Sequence, residues 1–292
     1  MPSPEWTILT LLQWTTAYLD RHGIESARLD AEILLAHALG LKRIDLYLRY
    51  DQPLEPPELA CFRALLQRRA AREPVAYITG LKAFWDMDLA VTPAVLIPRP
   101  ETESLVEAVL AFFKEKPIAH PPFLLDLGTG SGAIALALAR SFEACFVVAL
   151  DRSPAALAVA RRNVNRWAAQ DNVQLVAGDW LAAFSPVRPR FDAIAANPPY
   201  IVSHDIATLQ PEIADYEPHA ALDGGRDGLS SYRTLIPAIG RHLRPGGAAF
   251  LEIGCDQKGA VASIAGACGH YAAIDCLPDM GGLPRVLRLQ VP

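Results

Sequence analysis

Two different spacings of apolar residues divide the chain. From residue 7 to about 72 they recur at helical intervals, as Ile8, Leu11, Leu12 and Leu19, then Ala31, Leu34, Leu35 and Ala38, the pattern of helices that bury one face. Gly23 and Gly40 stand where helices stop, and Pro56-Pro57 stand where the next begins. A small all-α domain over 1–75 is expected. Its last helix carries Arg63, Arg68, Arg69 and Arg72, which read as a solvated basic face.

Between residues 77 and 100 the period shortens. Phe84, Trp85 and Met87, then Leu89, Val91, Val95 and Ile97, make short β-like pieces broken by Gly80, Pro93, Pro98 and Pro100, which predicts a β-hairpin linker over 76–100. From residue 123 onward buried apolar runs at 123–127, 145–150, 173–177, 191–195 and 248–253 alternate with helical patterns. That alternation predicts an α/β catalytic domain over 101–292, a doubly wound, mostly parallel sheet covered on both faces. Residues 271–276 and 285–291, around Gly281-Gly282, read as a closing antiparallel hairpin. A ligand is expected beyond the carboxyl ends of the strands, near the topological switch point.

With 292 residues and 51% hydrophobic content the chain has material for two domains with cores. The formal net charge of −5 argues against a protein that holds long nucleic acid through phosphates, so no stable nucleic-acid binding is expected. Cys61, Cys145, Cys255, Cys268 and Cys276 are odd in number and form no Cys-x-x-Cys pair; they read as buried thiols in a reducing compartment, with no metal site. The first twenty residues lack Lys and Arg and include Glu5 and Asp20, unlike a secretory signal. No apolar stretch approaches a membrane span, and a cytoplasmic location without membrane partners is expected.

Leu124-Leu125-Asp126-Leu127-Gly128-Thr129-Gly130-Ser131-Gly132-Ala133-Ile134 reads as a buried strand, a glycine turn and a helix start, where backbone approaches a ligand closely at the positive end of a helix. Asp151 ends the next strand and can take both ribose hydroxyls of an adenosine. A nicotinamide site and another nucleoside site are both compatible with these two features. Three others favour S-adenosylmethionine. Asp126 can organise the turn and attract the cationic end of that cofactor, and Gly178-Asp179-Trp180 can reach and cover an adenine, although Trp180 also reads as a core residue. The third is Asn197-Pro198-Pro199-Tyr200, which ends the fourth strand.

A planar nitrogen conjugated to a carbonyl or a ring is a weak nucleophile, and its N–H groups need acceptors. The side-chain oxygen of Asn197 and the carbonyl of Pro198 can supply them, two prolines hold the backbone rigid, and Tyr200 offers a flat face. The plain alternative is a strand-ending turn. Glu101, Glu103, Glu217 and Glu252 read as carboxylates that position neighbours rather than react.

The chain resembles the class I methyltransferases, and more closely the peptide chain release factor glutamine methyltransferases known as PrmC or HemK. The resemblance rests on Glu73-Pro74-Val75-Ala76-Tyr77-Ile78-Thr79-Gly80, Leu96-Ile97-Pro98-Arg99-Pro100-Glu101-Thr102-Glu103, the glycine turn, Asn197 to Tyr200, Tyr216-Glu217-Pro218, and Asp223-Gly224-Gly225-Arg226-Asp227-Gly228-Leu229. It implies a Rossmann-like seven-stranded sheet, a helical substrate-recognition domain, and methylation of the glutamine amide nitrogen in the Gly-Gly-Gln motif of release factors. Carried over residue by residue, it implies cofactor binding by Gly128, Thr129, Gly130, Ser131, Gly132, Asp151, Trp180 and Asn197. The acceptor amide falls to Asn197, Pro198, Pro199 and Tyr200, of which Asn197, Pro198 and Tyr200 are the catalytic expectation. The expected reaction is an in-line displacement at the methyl carbon that leaves S-adenosylhomocysteine. Around Asp279-Met280-Gly281-Gly282-Leu283-Pro284-Arg285 the chain departs from the family's usual pattern. Two other readings are an adenine-N6 methyltransferase acting on DNA or RNA, and a non-catalytic cofactor-binding module that docks translation factors.

Overall fold

The computed structural model describes residues 6–184 and 190–292. The chain forms two compact units, one ending at Gly80 and completed by Gln210–Tyr216, the other made of Leu81–Leu209 and Glu217–Pro292.

Among its described residues the first unit has helices Ile8–Arg21, Ala27–Leu39, Arg43–Leu48, Pro56–Ala70 and Val75–Thr79, with Pro211–Ala214 in its second segment. The Thr7 hydroxyl caps the first helix, and Gly40, at φ +65°, ends the second in the left-handed conformation that glycine adopts without strain. Ile8, Leu12, Leu19, Leu34, Leu35, Phe62 and Leu66 form its core. Ile78 joins that core, so packing carries the unit to Gly80 rather than to the expected residue 75. The expected solvated arginine face is corrected at two positions. Arg69 is 4% exposed and pairs with Asp30 and Glu212 at 2.7 Å, and Arg72 pairs with the second oxygen of Glu212. The partners lie far along the chain, so helical periodicity alone could not find them.

In the second unit, strands β1 (Leu81–Phe84) and β2 (Met87–Ala90) form an antiparallel hairpin. Phe84, Met87 and Leu89 are buried in the core of this unit, so the hairpin belongs to it rather than standing as a separate linker. The segment from Val91 to Ile97, expected to be β-like, is an irregular loop that buries Val91, Val95 and Ile97.

The main sheet contains β3 (Phe123–Leu127), β4 (Phe146–Asp151), β5 (Val173–Ala177), β6 (Phe191–Ala196), β7 (Leu243–Glu252), β8 (Ala273–Pro278) and β9 (Pro284–Gln290). Their spatial order is β5-β4-β3-β6-β7-β9-β8. The first five are parallel, and β9 and β8 add antiparallel strands at one side. Apolar clusters lie on both faces, one including Val106, Leu136 and Phe250, the other Leu127, Ile194 and Leu251, as a doubly wound sheet requires. β7 begins earlier than expected and carries Pro245-Gly246-Gly247 inside it, past an irregular register against β6.

Of the cysteines only Cys145 is buried; Cys61 and Cys255 are exposed and Cys268 and Cys276 half-buried. The expectation of five buried thiols is corrected. Among the described residues, no helix is long and apolar enough to cross a membrane.

Candidate active site

The site begins with the pairing of β3 and β6, which runs from Leu124 opposite Ala193 to Leu127 opposite Ala196. After β3 the chain builds β4 and β5 outward on one side, then returns to place β6 on the other. This is the topological switch point, where the connections part and leave a crevice. Gly128 follows Leu127 and Asn197 follows Ala196, so the glycine turn and the Asn-Pro-Pro-Tyr motif leave the sheet side by side.

In the turn, Gly128, Gly130 and Gly132 have φ of +75°, +56° and +84°, which other residues adopt only with strain. The N–H groups of Gly128 and Thr129 both donate to Leu150 O at 2.9 Å. Asp151 braces the turn from the next strand: Oδ2 accepts from Gly130 N at 2.9 Å and Oδ1 from Ser153 N at 2.8 Å. Asp126 lies beneath with Oδ2 accepting from the Thr129 hydroxyl at 2.6 Å and from Ala135 N at 3.1 Å, while Oδ1 has no hydrogen-bond partner among the described residues. Burial pushes its carboxyl up to about 7. Asp126 thus organises the turn, fully buried and outside the cavity lining.

A cavity of about 260 Å³ opens here, lined by Gly128 to Ser131, Asp151, Asp179, Trp180, Asn197, Pro199 and part of the loop at 94–99. A Cβ on Gly128 would sit 3.6 Å from the Trp180 ring, so the indole lies against the turn. Trp180 also packs on the apolar cluster of that face, and the core and cavity roles coexist.

Asn197 Nδ2 donates to Thr102 Oγ1 at 3.2 Å. Among the described residues its Oδ1 and the carbonyl of Pro198 accept no hydrogen bond. Pro199 lines the cavity, Pro198 is buried, and Tyr200 is half-buried outside the lining with its hydroxyl 3.5 Å from Glu252 Oε1. Burial, with the neighbouring Glu252 adding to it, pushes the Tyr200 phenol up to about 12. Glu252 is 1% exposed, and burial lifts its carboxyl to about 7 against the opposing effect of the Thr102 hydroxyl.

Close backbone contacts hold the end of the motif. Gln257 Nε2 donates to Tyr200 O at 2.9 Å, Ile201 N to Leu222 O, and Gly224 N to Ile201 O at 2.7 Å. A Cβ on Gly228, at φ +74°, would lie 2.5 Å from Tyr200 O, and one on Gly224 would lie 2.8 Å from Tyr200 C. Those approaches explain Gly224 and Gly228, while Gly225, at φ +87°, would place a Cβ 2.0 Å from Ser230 Oγ. Glu217, 4% exposed, accepts from Ile97 N and pairs with Arg99, fixing the cavity's other wall, and Glu103 accepts from Trp85 N. Glu101 stays exposed. Sequence reasoning missed three side chains: Thr102, Gln257 and the fully buried Asn163, which bonds both backbone groups of Ala90 and the carbonyl of Ser131.

Sheet order, glycine turn and strand-end motif define a class I methyltransferase domain, and a family profile described as a methyltransferase domain matches residues 124–216. A second profile, the PrmC N-terminal domain, matches residues 10–80. The chain is 45% identical over 285 residues to a release factor glutamine methyltransferase of Geobacter sulfurreducens, covering 97% of this chain and 96% of that one. A release factor glutamine methyltransferase of Cereibacter sphaeroides is 44% identical over 92% of this chain and 93% of its own. The chain therefore belongs to the release factor glutamine methyltransferase family. Among solved structures, a methyltransferase of Pyrococcus furiosus shares the fold with a TM-score of 0.50 at 22% identity, covering 78% of this chain and 96% of that one. A 16S rRNA N2 G1207 methyltransferase of T. thermophilus does so at 0.52 and 20% identity, over 73% of this chain and 50% of that one.

Proposed function

We propose that the protein transfers a methyl group from S-adenosylmethionine to the side-chain amide nitrogen (N5) of the glutamine in the Gly-Gly-Gln motif of peptide chain release factors. The observation that carries this reading is a pair of acceptors, Asn197 Oδ1 and Pro198 O, that take no hydrogen bond among the described residues and follow the strand paired with the one that leads into the glycine turn. They match the two N–H groups of a primary amide.

The residues present fit the cofactor. Positive-φ Gly128 and Gly130 let backbone line the cavity, and a Cβ on Gly130 would meet nothing within 4 Å, so that side is open. Gly128 to Gly132, Asp151, Trp180 and Asn197 would hold it. When bound, it supplies an electrophilic methyl group. The protein's part is orientation. Asn197 and Pro198 hold the amide and stabilise the N–H groups as they become more acidic, the prolines keep these acceptors fixed, and Tyr200 supports the flat group. No strong base is required, because a methylated amide nitrogen gives up its proton readily.

Mass spectrometry of a release-factor peptide after incubation with the cofactor should show one added methyl on the glutamine, and none after a Gln→Asn change in the peptide. Transfer to duplex DNA but not to the release factor would overturn the reading. Asn197→Ala should lower the rate by on the order of 100-fold or more, as when a dedicated hydrogen-bonding group is lost; undiminished methyl transfer by that variant would overturn its catalytic role.

A further inference from the structure

Two prolines leave the Asn-Pro-Pro-Tyr segment few free torsions, so its acceptors point where its two ends are held. We propose that Gln257 is a positioning residue for methyl transfer, a clamp on the Tyr200 carbonyl that fixes the direction of Pro198 O. The proposal rests on the function above and deepens it.

The front end of the segment is fastened by the sheet. Ala196 pairs with Leu127 on β3 and with Leu251 on β7, and Asn197 leaves from that ladder. The rear end has an isolated bridge, Ile201 beside Asp223, in place of a ladder. There Gln257, just before the helix Lys258–Cys268, reaches across with its side chain. Nε2 donates to Tyr200 O at 2.9 Å and to Gly228 O at 3.3 Å, while Oε1 accepts from Gly254 N at 3.0 Å. An amide carries two N–H donors and one carbonyl acceptor, and these partners match both sides of it. A reversed amide sets oxygen against two carbonyls and nitrogen against an N–H, so the fold dictates the orientation.

Glycines make the space for this side chain. A Cβ on Gly228 would lie 2.6 Å from Nε2, and one on Gly254 would lie 3.0 Å from Oε1. Gln257 thereby joins the end of the motif, the loop at 223–229 and the turn after β7. With φ fixed at Pro198 and Pro199, a shift of the Tyr200 carbonyl is passed back to Pro198 O two residues earlier. Gln257 lies outside the cavity lining, so it acts through the motif and not on the cofactor.

The test compares wild type, Gln257→Met and Gln257→Glu, with kcat, KM and cofactor affinity measured separately. Methionine keeps the bulk of the side chain and removes its hydrogen bonds. In Gln257→Met kcat should fall by about 10-fold, the scale of one neutral hydrogen bond lost, with cofactor affinity unchanged. Gln257→Glu supplies a switchable donor: ionised, it turns an acceptor toward two carbonyls; protonated, its O–H can donate to Tyr200 O. The ratio of its kcat to that of wild type should rise by about 10-fold as the pH falls from about 8 to about 5, where a carboxyl beside carbonyl dipoles takes up its proton. A residue that supports stability alone leaves that ratio level. Wild-type kcat in Gln257→Met, or a level ratio in Gln257→Glu, overturns the clamp; should Gln257→Met unfold, the pH series of Gln257→Glu decides.

Hydrogen exchange separates the clamp from the reaction. Ile201 N donates to Leu222 O, and its exchange should quicken by about 10-fold in Gln257→Met as that segment opens locally, while exchange within β3 and β4 matches wild type. Equal exchange at Ile201 in the two proteins also overturns the clamp. Absence of glutamine methylation by wild type counts against the proposed function instead, and the exchange still decides the clamp.

Discussion

Asn163 shows how much a single buried amide carries in this site. It accepts from Ala90 N at 2.7 Å and donates to Ala90 O at 2.9 Å and Ser131 O at 2.8 Å, tying the β1–β2 hairpin to the glycine turn. Asn163→Leu keeps similar volume but strands three buried backbone groups. It should cost about 3 kcal/mol or more, since each of the three buried unsatisfied groups costs roughly 1–3, as read by urea unfolding. Cofactor affinity should fall with it, because Ser131 belongs to the turn. Asn197 and Asp151 were legible in the sequence because each stands at a strand end inside a recognisable run. The bond of Asn163 was not, since Ala90 lies 73 residues away and a lone Asn on a helix has no local pattern to betray it; Thr102 stands in a recognised block, but its partner Asn197 lies 95 residues away.

Among the connecting elements, the loop at 223–229 owes Gly224 and Gly228 to its closeness to Tyr200. Gly228→Ala places a methyl 2.5 Å from Tyr200 O at a φ of +74°, so Tyr200 and Gln257 must shift. It should destabilise the protein by about 1–3 kcal/mol, the usual range for overpacking, and lower methyl transfer more than cofactor affinity in a paired rate and calorimetry measurement. At the C-terminal hairpin, the divergent residues fall at an exposed tip. Met280 is 86% exposed, while Asp279 accepts from Gly281 N and Leu283 N and pairs with Arg285. Met280→Lys should change the unfolding midpoint by no more than the equivalent of about 0.5 kcal/mol, as for ordinary surface substitutions. The strands were largely legible from apolar runs and the parallel core from their alternation with helices. The early start of β7 was not, because Pro245-Gly246-Gly247 reads as a turn. In the fold, Gly246 N bonds Pro292 O and Val291 N bonds Gly247 O, contacts supplied by the far end of the chain.

Across the whole molecule, the helical unit is closed on itself by charge as well as by its core. Arg69 joins Asp30 to Glu212 while nearly fully buried. Arg69→Met leaves the 4%-exposed Asp30 without its cation and should destabilise this unit by about 3–5 kcal/mol, the cost of breaking one side of a buried pair, seen as faster limited proteolysis within residues 6–80. Cofactor, if held by the second unit as proposed, should protect against thermal unfolding by about 2.7 kcal/mol at a hundredfold excess over its Kd, and Asp151→Ala should weaken that protection. The pairing of Leu127 with Ala196 also has a metric meaning. Neighbouring strands stand about 4.8 Å apart whatever their side chains, so if the glycine turn holds the cofactor and Asn197 the acceptor, as proposed, the ladder acts as a ruler between them. Surface loops could then diverge while the gap that a methyl group must cross stays calibrated by the backbone.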